Sequence, residues 1–206
     1  MADLKFYTNP QSRGQIVRWM LEEVGQPYET EILTYDGTLK GEAYRAINPM
    51  QKIPAIVHRG KVVTEASAIC LYLADAFPDA GLAPPLGQRA EYYRWTFFAS
   101  GPVEAAFSNK SAGWEPDADK QRMFGYGSFD RAIDALETAV DGKRFISGDK
   151  FSAADIVVGS TIGFMLMFKL LKPRPAFSDY LASVTDRDAY RRGKQLDEEA
   201  AATLAA

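Results

Sequence analysis

The chain has 206 residues, 47% of them hydrophobic and 25% charged, with a formal net charge of −3. That length fits one large domain or two small ones, and the apolar share supports a substantial core and argues against disorder. No basic excess points to nucleic acid or an anionic membrane, and a single cysteine rules out an intrachain disulfide framework and fits a reducing compartment.

The opening residues, MADLKFYTNP, lack the apolar core of a signal peptide, so a cytoplasmic protein is expected. Leu4 to Tyr7 alternates as a strand does, and Asn9-Pro10 ends it. Ile16, Met20 and Val24, with Val17 and Leu21 beside them, predict a helix that Gly25 and Pro27 stop. Tyr28 to Leu33 predicts a second strand, and Gly41 to Ile47 a short irregular helix. Ile53-Pro54 then opens the apolar run Ala55-Ile56-Val57. A proline cannot donate to a sheet ladder, so it belongs at a strand's first residue or its edge. His58-Arg59-Gly60-Lys61 reads as a tight turn into Val62-Val63. Thr64-Glu65-Ala66-Ser67 follows, and Ile69, Leu73 and Phe77 continue at helical spacing. The resulting row of backbone amides and a helix N-terminus favours a carboxylate.

Pro78 to Gly87 is the one proline-rich stretch long enough to be a linker, and strand signals disappear beyond it. Gln88 to Ser111 predicts a long helix kinked at Gly101-Pro102, where the proline removes a helix hydrogen bond. Asp117 to Val140 predicts another, with Phe129, Ile133 and Leu136 as its apolar stripe. Ser152-Ala153-Ala154-Asp155 has capping-box spacing, with Phe151 placed as a hydrophobic staple. The longest apolar stretch, Ile156 to Leu171, is too short and too interrupted to span a bilayer. The tail from Asp197 to Ala206 is alanine-rich and reads as a loose helix.

The stretch NPMQKIPAIVHRGKVVTEASAICLYLADAF, Asn48 to Phe77, resembles the glutathione-binding half of the soluble glutathione transferases, and FISGDKFSAADIVVGSTIGF resembles the capping motif in the buried helix of their helical domain. NPQSRGQIVRWMLEEVG is similar to bacterial members with a serine-type site. The resemblance implies an α/β plus all-α protein: a thioredoxin-like βαβ-ββα domain over residues 1–77, a linker over 78–86 and an all-helical domain over 87–206. It implies that Pro54 is a cis proline, that the backbone of Ile53 pairs with the cysteinyl part of glutathione, and that Glu65 meets the γ-glutamyl end. The family usually has serine after that acidic residue. This chain has Ala66 there and Ser67 one place later, so the hydroxyl is absent or displaced while the Ala66 amide remains. Lys40 and Lys52 are the basic residues placed for the glycine carboxylate, although a solvated surface lysine also explains Lys40. The family's two-fold dimers imply a homodimer. Glutathione enters as co-substrate, with no cofactor and no metal.

Such chemistry needs a thiolate. A cysteine thiol with pKa ~8.5 is only a few per cent ionised at neutral pH, and lowering that pKa by about two takes roughly 2.7 kcal/mol. A hydroxyl hydrogen bond to the anion supplies ~1.5–3 kcal/mol, and a helix N-terminus ~0.3–1 kcal/mol. Ser12 is the leading donor for this role, Tyr7 the second and Asn9 the third. Each has a structural alternative: Ser12-x-x-Gln15 has capping-box spacing, Tyr7 fits a packed aromatic, and Asn9 fits a turn before Pro10.

Cys70 lies in an apolar helical run as a small buried hydrophobe, and no Cys-x-x-Cys exists, which disfavours a reaction through the protein's own thiol. His58, the single histidine, leaves neither a metal cluster nor a catalytic triad. Phe98, Pro102 and Phe107 are candidates for an apolar electrophile pocket, against the commoner reading of helical aromatics as core. The expected activity is attack of glutathione thiolate on a small hydrophobic electrophile or a peroxide. A glutathione-dependent disulfide reductase and a non-catalytic binding protein of the same fold stay open.

Overall fold

Strand β1 (Leu4–Thr8) feeds helix α1 (Gly14–Val24), which ends where Gly25 takes a left-handed φ of 69° and donates to the Leu21 carbonyl. Strand β2 (Glu29–Ile32), the short helix α2 (Glu42–Ile47), strands β3 (Ala55–His58) and β4 (Lys61–Thr64) and helix α3 (Ala66–Ala76) follow. This is the expected βαβ-ββα order. The sheet order is β2-β1-β3-β4, with β1 parallel to β2 and the other pairs antiparallel. The computed structural model describes residues 3–205. Met1, Ala2 and Ala206, the outermost residues of the expected domains, lie outside the described residues.

Strand alternation sorts the side chains onto two faces. Phe6 and its partner Ile56 are wholly buried, with the Arg18 guanidinium of α1 5.0 Å from the Phe6 ring centroid. On the other face Tyr7, Leu33, Leu39, Tyr44 and Ala55 form a cluster joined by Ile47, Ile53 and Val57. The β3–β4 hairpin turns on Arg59 and Gly60, both at positive φ (50° and 74°), as a two-residue primed turn requires.

His58 closes β3, paired with Lys61, so His58 to Lys61 form the expected tight turn about Arg59 and Gly60. His58 is buried, with Nδ1 2.9 Å from the Tyr72 hydroxyl and its ring 5.2 Å from that of Phe77. Burial lowers its pKa, aided by Arg59 and Lys61 and opposed by Asp3. A histidine whose folded pKa lies below its unfolded value of about 6.5 takes up a proton more readily when unfolded. It contributes stability above that pH that is lost as pH falls through the folded pKa. Replacing His58 with Gln is expected to flatten the fall of thermal midpoint below about pH 6.5. Melts across that range check this, and an unchanged curve shape would count against it.

The remaining helices are α4 (Ala90–Phe98), α5 (Glu104–Ser111), α6 (Phe129–Val140), α7 (Ala153–Met167), α8 (Pro175–Thr185) and α9 (Asp188–Ala205). The expected kink at Pro102 takes the form of a π-helical turn, Ala99–Val103, joining α4 to α5. A wider turn absorbs the missing proline donor without ending the helix. The helix expected over 117–140 is shorter. Its first part is turns and a 3-10 segment, Gln121–Met123, and α6 starts after Gly127 (φ 68°), where Ser128 caps the Arg131 amide. At α7 the capping box forms as expected, and Phe151 is buried against Phe145. Among the described residues no helix is long and apolar enough to cross a membrane.

The chain divides into two compact units, Met1–Leu82 with Arg187–Ala206, and Ala83–Asp186. The tail, expected to be a loose helix of the second domain, is instead the regular 18-residue α9, which belongs to the first unit and packs on α1.

Candidate functional site

Four loops leave the same end of the sheet. Thr8 pairs with Ile32, Tyr7 with Ala55, and Ala55 with Thr64. The connections after β1, after β2, before β3 and after β4 therefore lie along one rim. This register gathers Asn9 and Ser12, Lys40, Lys52 to Pro54, and Glu65 to Ser67, although the sequence spreads them over some sixty positions.

The first connection is tightly bonded within itself. Ser12 Oγ donates to the Asn9 carbonyl at 2.7 Å and accepts from the Gly14 amide at 2.9 Å. The Gln15 side chain turns back to the Pro10 carbonyl at 2.6 Å, so the capping box suggested by Ser12-x-x-Gln15 does not form, and α1 starts at Gly14. Asn9 is buried. Its amide donates to the Leu33 carbonyl at 2.8 Å, and its oxygen accepts from the Gln11 amide at 2.9 Å. Asn9 thus ties this connection to the one after β2.

Gly14 is the pivot of the turn. A Cβ there would stand 1.8 Å from Thr8 Oγ1 and 3.0 Å from Ser12 Oγ. Thr8 is fully buried, so its β-branched side chain has no room to yield. Gly14→Ala is expected to cost about 1–3 kcal/mol, the range for overpacking, and to push α1 off the strand end. Urea unfolding of the variant measures this, and an unchanged midpoint would overturn the contact.

Before β3 the Ile53–Pro54 bond is cis, as the resemblance implied. The loop is set by two residues that sequence reasoning passed over. The Tyr44 hydroxyl and the Asn48 side-chain amide both donate to the Lys52 carbonyl, at 2.6 and 2.8 Å, and Asn48 Oδ1 accepts from the Met50 amide at 3.1 Å. Burial pushes the Tyr44 phenol up to about 12, so it remains a donor at any physiological pH. The Asn48-Pro49 pair was the available turn signal. Lys52 itself is exposed. Lys40 is exposed and lies 3.3 Å from Asp36, a pairing worth little in water.

After β4, Glu65 stands at the N-cap of α3 with φ 66° and ψ 118° and makes no side-chain cap. Ala66 and Ser67 are the first two residues of that helix. Its opening amides have no acceptor within the helix and face the rim as donors. Tyr7 lies below the rim, buried 5.6 Å from the Tyr44 ring within the Leu33 and Leu39 cluster. Burial pushes the Cys70 thiol up and leaves it without thiolate character. Among the described residues no group of His, Cys, Asp and Glu side chains is arranged to hold a metal.

In the second unit Phe98 is half-buried with its ring 5.7 Å from Trp95, Pro102 lies in the π-turn, and Phe107 is buried 6.0 Å from Phe168.

Two family models match the chain: the N-terminal domain of glutathione S-transferase over residues 12–76 and the C-terminal domain over 104–191. A probable glutathione S-transferase of Nicotiana tabacum is 28% identical over 173 residues, 81% of this chain and 72% of that one. The disulfide-bond oxidoreductase YghU of Escherichia coli K12 is 27% identical over 180 residues, 80% of this chain and 62% of that one. Among solved structures, a glutathione transferase from Methylococcus capsulatus superposes with a TM-score of 0.78 at 27% identity, covering 95% of this chain and 99% of that one. With both of its halves matched by models of one family and the sheet order in place, the chain belongs to the glutathione S-transferase family.

Proposed function

We propose that the protein is a glutathione transferase whose thiolate site lies at the start of α1. The observation that carries this reading is the rim: one sheet end presents the Ser12 turn, the cis Ile53–Pro54 bond and the amides of α3 side by side. Ile53 offers its backbone to the cysteinyl part of glutathione, with Pro54 fixing that backbone. Glu65 takes the glutamyl amine, and the Ala66 and Ser67 amides take its carboxylate. Lys40 and Lys52 serve the glycine carboxylate. Ser12 holds the thiolate, with Asn9 fixing the turn around it and Tyr7 beneath. The thiolate attacks an electrophilic carbon, a carbon–sulfur bond forms, the leaving group departs with its electron pair, and the thiol proton has already passed to solvent. The electrophile is small and hydrophobic, met by Phe98, Pro102 and Phe107, and the working form is a cytoplasmic homodimer.

One observation favours a second reading. The only proton on Ser12 Oγ is already given to the Asn9 carbonyl, so a thiolate must draw it away. A weakly stabilised thiol with a pKa near ambient pH suits thiol–disulfide exchange, and one relative is named for disulfide chemistry. Parallel assays with glutathione and either an activated aryl halide or a mixed disulfide separate the two. Turnover of the halide supports the transferase, turnover of the disulfide alone supports the reductase, and turnover of neither by a glutathione-binding protein sinks both.

A further inference from the structure

Helix α1 carries the Ser12 turn at its N-terminus, and its other end is clamped by α9. Arg18 is buried and donates through Nε to Asp197 of α9 at 3.3 Å, both side chains being less than a tenth exposed. Its Nη1 reaches the Tyr28 hydroxyl at 3.1 Å and Thr30 Oγ1 at 2.9 Å, and its plane lies over the Phe6 and Tyr28 rings. One guanidinium thus joins α1 to β1, to the strand edge at β2 and to the C-terminal helix.

The clamp continues along α1. Glu22 accepts from Tyr28 at 2.5 Å and pairs with Arg192. Glu23 receives both Nε and Nη2 of Arg187 at 2.6 Å, together with the Trp19 indole at 3.0 Å. The Trp19 and Tyr190 rings meet edge to face at 4.9 Å. The two helices meet at Gly193, where a Cβ would stand 3.4 Å from Arg18 Cγ and from the Trp19 backbone, at the edge of ordinary contact. Gly14 and Arg18 are four residues apart on one face of α1. Gly14 rests on Thr8, and Arg18 rests on Phe6 and Asp197.

We infer that Asp197 and Arg18 are positioning residues: through them the C-terminal helix sets where α1 lies on the sheet, and with it the hydrogen bonds of the Asn9–Gly14 turn. A packed helix shifts as a rigid body, so loosening its middle moves its end, and the Gly14 contact with Thr8 leaves little slack. The kinetic consequence rests on the thiolate reading given above; the mechanical one does not.

The test compares Asp197→Asn with Lys194→Ala, a solvent-facing change on the same helix. Hydrogen exchange is followed at the Gly14 and Gln15 amides, which bond to Ser12, and at the sheet amides of Phe6 and Ile56. In Asp197→Asn the turn amides are expected to exchange about ten-fold faster than any change at the sheet amides explains, with Lys194→Ala unchanged. In the same variant the apparent pKa for glutathione turnover is expected to rise by about half to one, following the displaced Ser12. Equal acceleration of turn and sheet amides would mean general destabilisation and would overturn the inference. Turn amides that respond while wild-type protein turns over no glutathione would keep the mechanical link and discard the thiolate reading. Should Asp197→Asn not fold, Arg18→Met with Asp197→Leu replaces the pair by apolar packing. Stability is then expected to return while the turn exchange stays fast, and slow exchange in that double variant would contradict the proposal.

Discussion

Replacing Asp155 with alanine is expected to cost about 3–5 kcal/mol, a larger stability effect than any other single substitution discussed here. The carboxylate is fully buried and receives four donors. Oδ1 accepts from the Ile146 amide at 2.7 Å and the Tyr180 hydroxyl at 2.8 Å; Oδ2 accepts from the Ser152 amide and hydroxyl, each at 2.9 Å. Alanine strands two backbone amides and the Tyr180 hydroxyl away from water, while the Ser152 hydroxyl keeps that of Ser147 3.0 Å away; each buried unpaired group costs about 1–3 kcal/mol, partly relieved if a water enters. Burial raises the Asp155 pKa while the four donors pull it back, and the same burial holds the Tyr180 phenol protonated as a donor. Asp155→Asn keeps one accepting oxygen and is expected to fall between the two. Thermal melts would show a midpoint lower by on the order of 10 °C for alanine. A drop of a degree or two would mean that this network does not anchor α7.

Ser12→Ala is expected to lower glutathione turnover by roughly ten-fold, and the magnitude follows from two opposing bonds. A hydroxyl bond to an anion contributes ~1.5–3 kcal/mol, but Ser12 must first release the Asn9 carbonyl, which costs ~0.5–1.5 kcal/mol. The central values differ by about 1.3 kcal/mol, equivalent to an apparent thiol pKa raised by about one. The loss should therefore appear in the pH profile as a displaced limb and shrink at alkaline pH, where the thiol ionises unaided. Loss of the bond from the Gly14 amide adds a small stability cost. An unchanged conjugation rate would remove Ser12 from the mechanism, and a loss confined to disulfide reduction would favour the reductase.

Much of this architecture was readable in order along the chain, because strands and helices announce their periods and because Pro54 and Ser152-x-x-Asp155 act through local geometry. The errors came where tertiary partners decide. Nothing near Asp197 reveals that α9 lies on α1: its partner, Arg18, is 179 positions away. The helix expected from Asp117 onward starts only at Phe129, where its apolar stripe begins, because Gly127 and the Ser128 cap break the chain just before it. At the site, Ser12 and Pro54 carry residue-type signals. Tyr44 and Asn48 act on one carbonyl, that of Lys52, and a carbonyl has no signature in a sequence. Gly14 is similar, since its need for a bare α-carbon comes from Thr8 across the turn.

The measurement that bears most directly on the glutathione site is calorimetric titration of the full chain with reduced glutathione, and in parallel with S-methylglutathione, which has no ionisable thiol. The rim described above predicts saturable binding of both at millimolar concentration or below, with one site per chain. Reduced glutathione should release a proton that the methylated ligand does not, seen as a dependence of its heat on buffer. Absence of binding by either would mean that Ala66 marks a lost site, leaving a family member that keeps the fold without the ligand.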